Sequence, residues 1–255
     1  MTADTGLGHA VVTGAAGDIG LAIAETLAAK GHAVTLMGRS PGSLATAART
    51  LGGAGFEICD VTDEAAVAAA LAAAEAARGP VQILINNAGA VAAGRFENIG
   101  LDAWTACLDV NLLGAVRMIR AALPSLGTHA WARIVNVAST AGLKPYVNVS
   151  PYVAAKHALV GFTRALALEL ARTGVTVNAV CPGYTRTAMI EGAIDRMAAR
   201  PGGDRAAGEA FFTAANPQGR LVTPAEVAAA VVWLASAEAG AVNGGALSVS
   251  GGETG

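Results

Sequence analysis

Seven short apolar runs, at 9–13, 33–37, 55–59, 81–85, 132–137, 174–180 and 245–249, alternate with six longer stretches of helical pattern, at 18–30, 41–51, 63–77, 101–126, 151–172 and 224–236. Parallel strands need helix-length crossovers, and the sheets they build are covered on both faces. Right-handed crossovers then leave an α/β, doubly wound, Rossmann-like fold: a seven-stranded parallel sheet with helices on both faces. The 255 residues suffice for one large domain, and no repeat or low-complexity linker divides them, so 1–255 is expected to be a single domain. One stretch leaves the rhythm. Residues 185–216 carry Met189, Ile190, Met197, Phe211 and Phe212 around a break at Pro201-Gly202-Gly203. Apolar yet interrupted, it reads as a lid over a substrate pocket, with an ordinary surface hairpin of helices as the plainer alternative.

The first apolar run leads into Thr13-Gly14-Ala15-Ala16-Gly17-Asp18-Ile19-Gly20, and an amphipathic stretch follows from Leu21 to Lys30. Strand, tight glycine turn and helix form the setting of a dinucleotide-binding turn. Small residues let the backbone approach a pyrophosphate, and first-turn N–H groups favour its negative charge. The spacing here is G-x-x-G-x-x-G, and glycines also serve ordinary turns. Further on, Ile134 to Ser139 ends an apolar run, and Tyr152-Val153-Ala154-Ala155-Lys156 follows. Tyr and Lys four apart share one helical face. An ammonium beside the phenol is expected to lower a pKa that starts at about 10, making the hydroxyl usable as proton donor or acceptor. Alone, such a spacing is most often a solvated helical pair; the glycine turn gives it weight.

Together these residues resemble the short-chain dehydrogenase/reductase family over essentially the whole chain. The resemblance implies that Gly14, Gly17, Asp18, Ile19 and Gly20 form the cofactor turn, that Asp60-Val61 contacts adenine, and that Asn87, Ala88 and Gly89 follow the fourth strand as a signature. It also implies a catalytic tetrad of Asn111, Ser139, Tyr152 and Lys156. Tyr152 would donate the proton, Ser139 orient the substrate oxygen, and Lys156 tune Tyr152 and hold the nicotinamide ribose. Asn111 would break regular helical pairing and hold a water. Pro182-Gly183, with Thr185 and Thr187, would hold the nicotinamide carboxamide. The chain departs from the family at Asp18, where Gly is usual; the carboxylate is expected to cap its own helix, or else to sit unfavourably near the cofactor phosphates.

Leu36-Met37-Gly38-Arg39-Ser40 ends the second strand without the acid that bridges the ribose hydroxyls of NAD. Arg39 could pair with a 2′-phosphate, so the expected cofactor is NADP(H), with NAD possible. The text from Asn216 to Leu221 and from Ser250 to Glu253 is similar to bacterial reductases of 3-oxoacyl thioesters. A ketone, alcohol or acyl thioester is therefore the expected partner, with secondary alcohols or cyclic and aromatic ketones as the alternative and a non-catalytic nucleotide-binding regulator as a remote one. Tyr146, Tyr184, Met189 and Phe211 suggest a pocket for an apolar group, and Arg186, Arg196, Arg200 and Arg205 would lie near its entrance, either as a carrier site or as solvated surface.

The formal net charge of −2 gives no electrostatic reason to expect nucleic acid or a charged membrane. No apolar run is long enough to span a bilayer, and residues 1–9 lack the layout of a signal peptide, so the expectation is cytoplasmic. Cys59, Cys107 and Cys181 have neither metal-site nor paired-disulfide spacing, and buried free thiols are expected, with no metal site. Family likeness implies a homotetramer.

Overall fold

A computed structural model describes residues 8–254, so the reading of the N-terminal residues falls largely outside the described part. Seven strands, β1 His9–Thr13, β2 Ala33–Gly38, β3 Gly55–Ile58, β4 Val81–Asn86, β5 Ala132–Val137, β6 Val175–Pro182 and β7 Ala246–Val249, form one parallel sheet in the order β3-β2-β1-β4-β5-β6-β7. The order reverses between β1 and β4, which places a crevice at their C-terminal ends.

Strands buried on both faces carry unbroken apolar runs, and successive side chains feed opposite cores. Val12 joins Ile23, Leu27, Leu36, Ile85, Val135 and Val231 on one face. Its neighbour Val11 joins Leu71, Leu84, Met118, Leu126, Ile134 and Val177 on the other. The helices that close these faces start where local chemistry favours it. α1 is Asp18–Ala29, α2 Pro41–Thr50 is capped by Ser40, and α3 Glu64–Arg78 is capped by Asp63. No helix among the described residues is long and apolar enough to cross a membrane. Cys59, Cys107 and Cys181 are buried and free.

The helical pattern at 101–126 is not one helix. α4 Leu101–Leu108 and α5 Gly114–Leu126 are joined by a π-helical turn, Asp109–Leu113. The Asn111 amide causes the break: its Nδ2 donates to Cys107 O at 2.9 Å, the carbonyl that position 111's own N–H would take in a regular helix.

After α6, Ser150–Glu169, and β6, the segment 185–216 forms α7 Ala188–Ala198 and α8 Arg205–Thr213, separated at the Pro201-Gly202 turn; α9 Pro224–Leu234 then opens with a Thr223–Glu226 capping box. α7 and α8 pack on each other around Ile194 and Phe212, with Leu221 and Tyr184 beneath. Arg186 pairs with Glu191 at 2.6 Å and with Glu209 at 2.5 Å, and Arg205 pairs with Glu191 and Asp195. Both guanidiniums are thus engaged within the segment; neither Arg196 nor Arg200 forms an ion pair among the described residues.

Candidate active site

The glycine turn is built onto the end of β4. Thr13 Oγ1 accepts the N–H groups of Asn87 and Ala88, each at 3.0 Å. Asn87 Nδ2 donates back to Thr13 O at 3.1 Å and to Gly14 O at 3.2 Å. Gly14 has φ +62°, which disfavours a side chain, and a Cβ on Gly20 would meet Gly14 O at 2.4 Å. The turn therefore lies flat against the helix start, where the first N–H groups of α1 have no intrahelical acceptor.

Asp18 does not cap α1. The cap position is Gly17, with no side-chain bond; Asp18 Oδ2 instead accepts the N–H of Ala188, at 2.9 Å. As the first helical residue, its side chain lies past the point from which a cap reaches back, so it turns outward to α7.

Ser139 follows β5, and its Oγ accepts the N–H of Ala141 at 3.1 Å. Tyr152 lies one turn into α6 beside it. Burial pushes the Tyr152 phenol up to about 12, with Ser139 acting the other way. The expected fall in the Tyr152 pKa is therefore reversed, because desolvation outweighs every favourable neighbour. Lys156 Nζ donates to Val137 O at 2.9 Å and sits 5.6 Å from the Tyr152 ring centroid. Burial also holds Lys156 down to about 8, with Cys181 and Cys107 opposing. Tyr152 is thus a protonated phenol at neutral pH, and the neighbouring ammonium can offset charge that develops on it. Asn111, buried, donates to Ala90 O at 2.7 Å, which ties the π turn to the loop that follows β4.

On the cofactor side, Arg39 is exposed at the end of β2 and forms no ion pair among the described residues. Asp60 Oδ1 accepts the N–H of Thr62 at 2.9 Å and its hydroxyl at 2.7 Å. Those bonds hold its carboxyl below the usual range, with Arg39 a lesser cause. Val61 beside it is buried. Pro182 closes β6, and Thr185 Oγ1 is engaged with Gly183 O at 3.0 Å, whereas Thr187 caps α7 by accepting the N–H of Ile190.

Of the four residues expected in an apolar pocket, two meet. Tyr146 and Tyr184 pack edge to face with centroids 6.0 Å apart, and Tyr184 continues at 5.0 Å to Phe212 rather than Phe211. Phe211 is 61% exposed and Met189 59%, so neither lines an enclosed wall. Sequence reasoning missed Glu253. Its side chain, only 1% exposed, pairs with Lys144 at 2.9 Å and accepts the Tyr146 hydroxyl, which also bonds Thr140 at 2.7 Å. Burial, first, and the Glu253 carboxylate hold the Tyr146 phenol far above its ordinary value. An acid 107 positions downstream gives no local signal of this contact.

The chain matches the family described as short chain dehydrogenase over residues 8–197. It is 43% identical over 249 residues to a ketoacyl reductase ascribed to the monensin polyketide synthase of Streptomyces virginiae, covering 95% of each chain. It is 37% identical to D-beta-hydroxybutyrate dehydrogenase of Cupriavidus necator, covering 95% of this chain and 96% of that one. Among solved structures, a variant of the actinorhodin polyketide ketoreductase with NADPH superposes with a TM-score of 0.92 at 38% identity, covering 97% of both chains.

Proposed function

The chain belongs to the short-chain dehydrogenase family, and from that premise we propose that it transfers a hydride between NADP(H) and a carbonyl or secondary-alcohol carbon, with a 3-oxoacyl thioester as substrate. The observation that carries this reading is Tyr152 set beside Ser139 and Lys156 at the sheet's C-terminal edge, next to the glycine turn.

Bound NADP(H) supplies the hydride in the reducing direction. Tyr152 donates its proton to the substrate oxygen as negative charge develops there, and the Ser139 hydroxyl donates to the same oxygen and orients it. Lys156, charged below about pH 8, stabilises the phenolate that Tyr152 becomes. Asn111 ties the π turn to the loop at Ala90, while Lys156 is held by Val137 O.

The residues fit the cofactor. The cradle from Gly14 to Gly20 admits a pyrophosphate to the N–H groups of Ile19 and its neighbours. Arg39, without an acid beside it on β2, suits a 2′-phosphate; Asp60 and Val61 would hold the adenine, and Pro182, Gly183 and Thr187 the nicotinamide. The segment 185–216 acts as a lid, with Tyr146, Tyr184 and Phe212 as its aromatic underside. The polyketide-reductase relative and the NADPH complex support the thioester and cofactor choice. The hydroxybutyrate dehydrogenase relative supports a second reading, oxidation of a small secondary alcohol. A homotetramer completes the proposal.

The test is the rate of cofactor oxidation with a short 3-oxoacyl thioester, run in parallel with NADPH and NADH. Turnover with NADPH alone is expected. Preference for NADH would overturn the role of Arg39, and no turnover with either would overturn the thioester and move the search to secondary alcohols and cyclic ketones.

A further inference from the structure

The glycine turn carries a single acid, Asp18, and it serves neither its own helix nor a cation. Its carboxylate reaches instead across 170 positions of sequence to the first N–H of α7. Among the described residues this is the only hydrogen bond that joins α7 or α8 to any residue before Arg186. Otherwise the two helices are held by each other, by the Arg186–Glu191–Arg205 ion pairs, and by the Tyr184 and Leu221 side chains beneath them.

We propose that Asp18 is a latch between the glycine turn and the lid, and that it sets cofactor affinity against lid attachment. The α7 N-terminus is well served: Thr187 takes the N–H of Ile190, and Asp18 takes that of Ala188, with a negative charge at the positive end of the helix. The residue that carries this carboxylate is the first of α1, the helix whose first N–H groups the cofactor reading above assigns to a pyrophosphate. Two anions at one corner repel. Through this one side chain, lid attachment is coupled to weaker phosphate binding: the charge that serves α7 disfavours a phosphate at the turn. Removing the charge while keeping an acceptor separates the two halves of the proposal. Asn keeps a carbonyl for Ala188 N–H and loses the repulsion; Ala loses both. Asp18 is a positioning residue here, with no part in proton transfer.

The experiment measures NADPH binding by fluorescence at low and high salt, and amide hydrogen exchange across 188–198 in cofactor-free protein, for wild type, Asp18→Asn and Asp18→Ala. Both variants are expected to bind NADPH about five-fold more tightly at low salt, which converts to ~1 kcal/mol, with the gap narrowing at high salt. Exchange across the start of α7 is expected to speed up in Asp18→Ala and to stay near wild type in Asp18→Asn. Unchanged NADPH affinity in Asp18→Asn would overturn the coupling, and unchanged exchange in Asp18→Ala would overturn the latch. Failure of every form to bind NADPH or NADH would sink the cofactor reading and the coupling with it, while the exchange comparison would still decide the latch on its own.

Discussion

At the scale of the residue, the site turns on which group holds a proton at neutral pH. Tyr152 is held up to about 12 by burial and is a donor, so removing its hydroxyl removes the acid. Tyr152→Phe is expected to lower kcat by about 10²–10⁴-fold, with NADPH binding kept, measured by steady-state rates and fluorescence titration. Near-normal turnover in that variant would rule the mechanism out. Lys156 carries the pH dependence. Its ammonium stabilises the phenolate, and its pKa is pressed from 10.5 down to about 8, so kcat/KM for reduction should hold below pH 8 and fall as pH rises through it. For stability the sign is opposite. Between about 8 and 10.5 the unfolded chain holds a proton that the folded chain has released, so this group's contribution to folding stability rises with pH across that window. Tyr152, Lys156 and Ser139 were legible because their spacing is local. The direction of the Tyr152 shift was not, because it depends on how much of the fold covers the ring. Glu253 and the Ala188 partner of Asp18 were illegible for a related reason, since each contact joins segments more than 100 residues apart.

Elements were easier to read than their interruptions. Strand positions follow from apolar runs bounded by turns, and the helix starts at Pro41, Glu64 and Pro224 follow from Ser40, Asp63 and Thr223 before them. The π turn at Asp109–Leu113 left no trace in the apolar period, because α4 and α5 continue one amphipathic stripe on either side of it. Only the polar Asn111 inside that stripe pointed to it. Its buried amide donates to Ala90 O and to the buried Cys107 O, so Asn111→Ala takes a donor from each. The expected cost is about 1–3 kcal/mol, read as a lower urea midpoint at unchanged m-value. A variant as stable as the wild type would mean that the turn is held by its backbone alone.

For the whole molecule, the reversal of strand order sets both the crevice and what is left outside it. Helix-length crossovers on a parallel sheet made that topology legible from alternation alone. What alternation cannot give is which outer faces are covered by other chains, because an Ala-rich helix can face solvent or another copy with the same sequence. Large apolar side chains stand exposed on several elements, among them Leu101 and Leu168 on α4 and α6, and Trp233 and Leu247 on α9 and β7. The homotetramer proposed above needs two such faces per chain, each forming a two-fold contact. Sedimentation should then give about four times the 25.2 kDa chain mass. Leu168→Arg and Leu247→Arg, at side chains 80% and 37% exposed, should each stop assembly at a dimer, because each spoils one face and leaves the other. A wild-type chain that sediments as a monomer would show that those side chains meet only water.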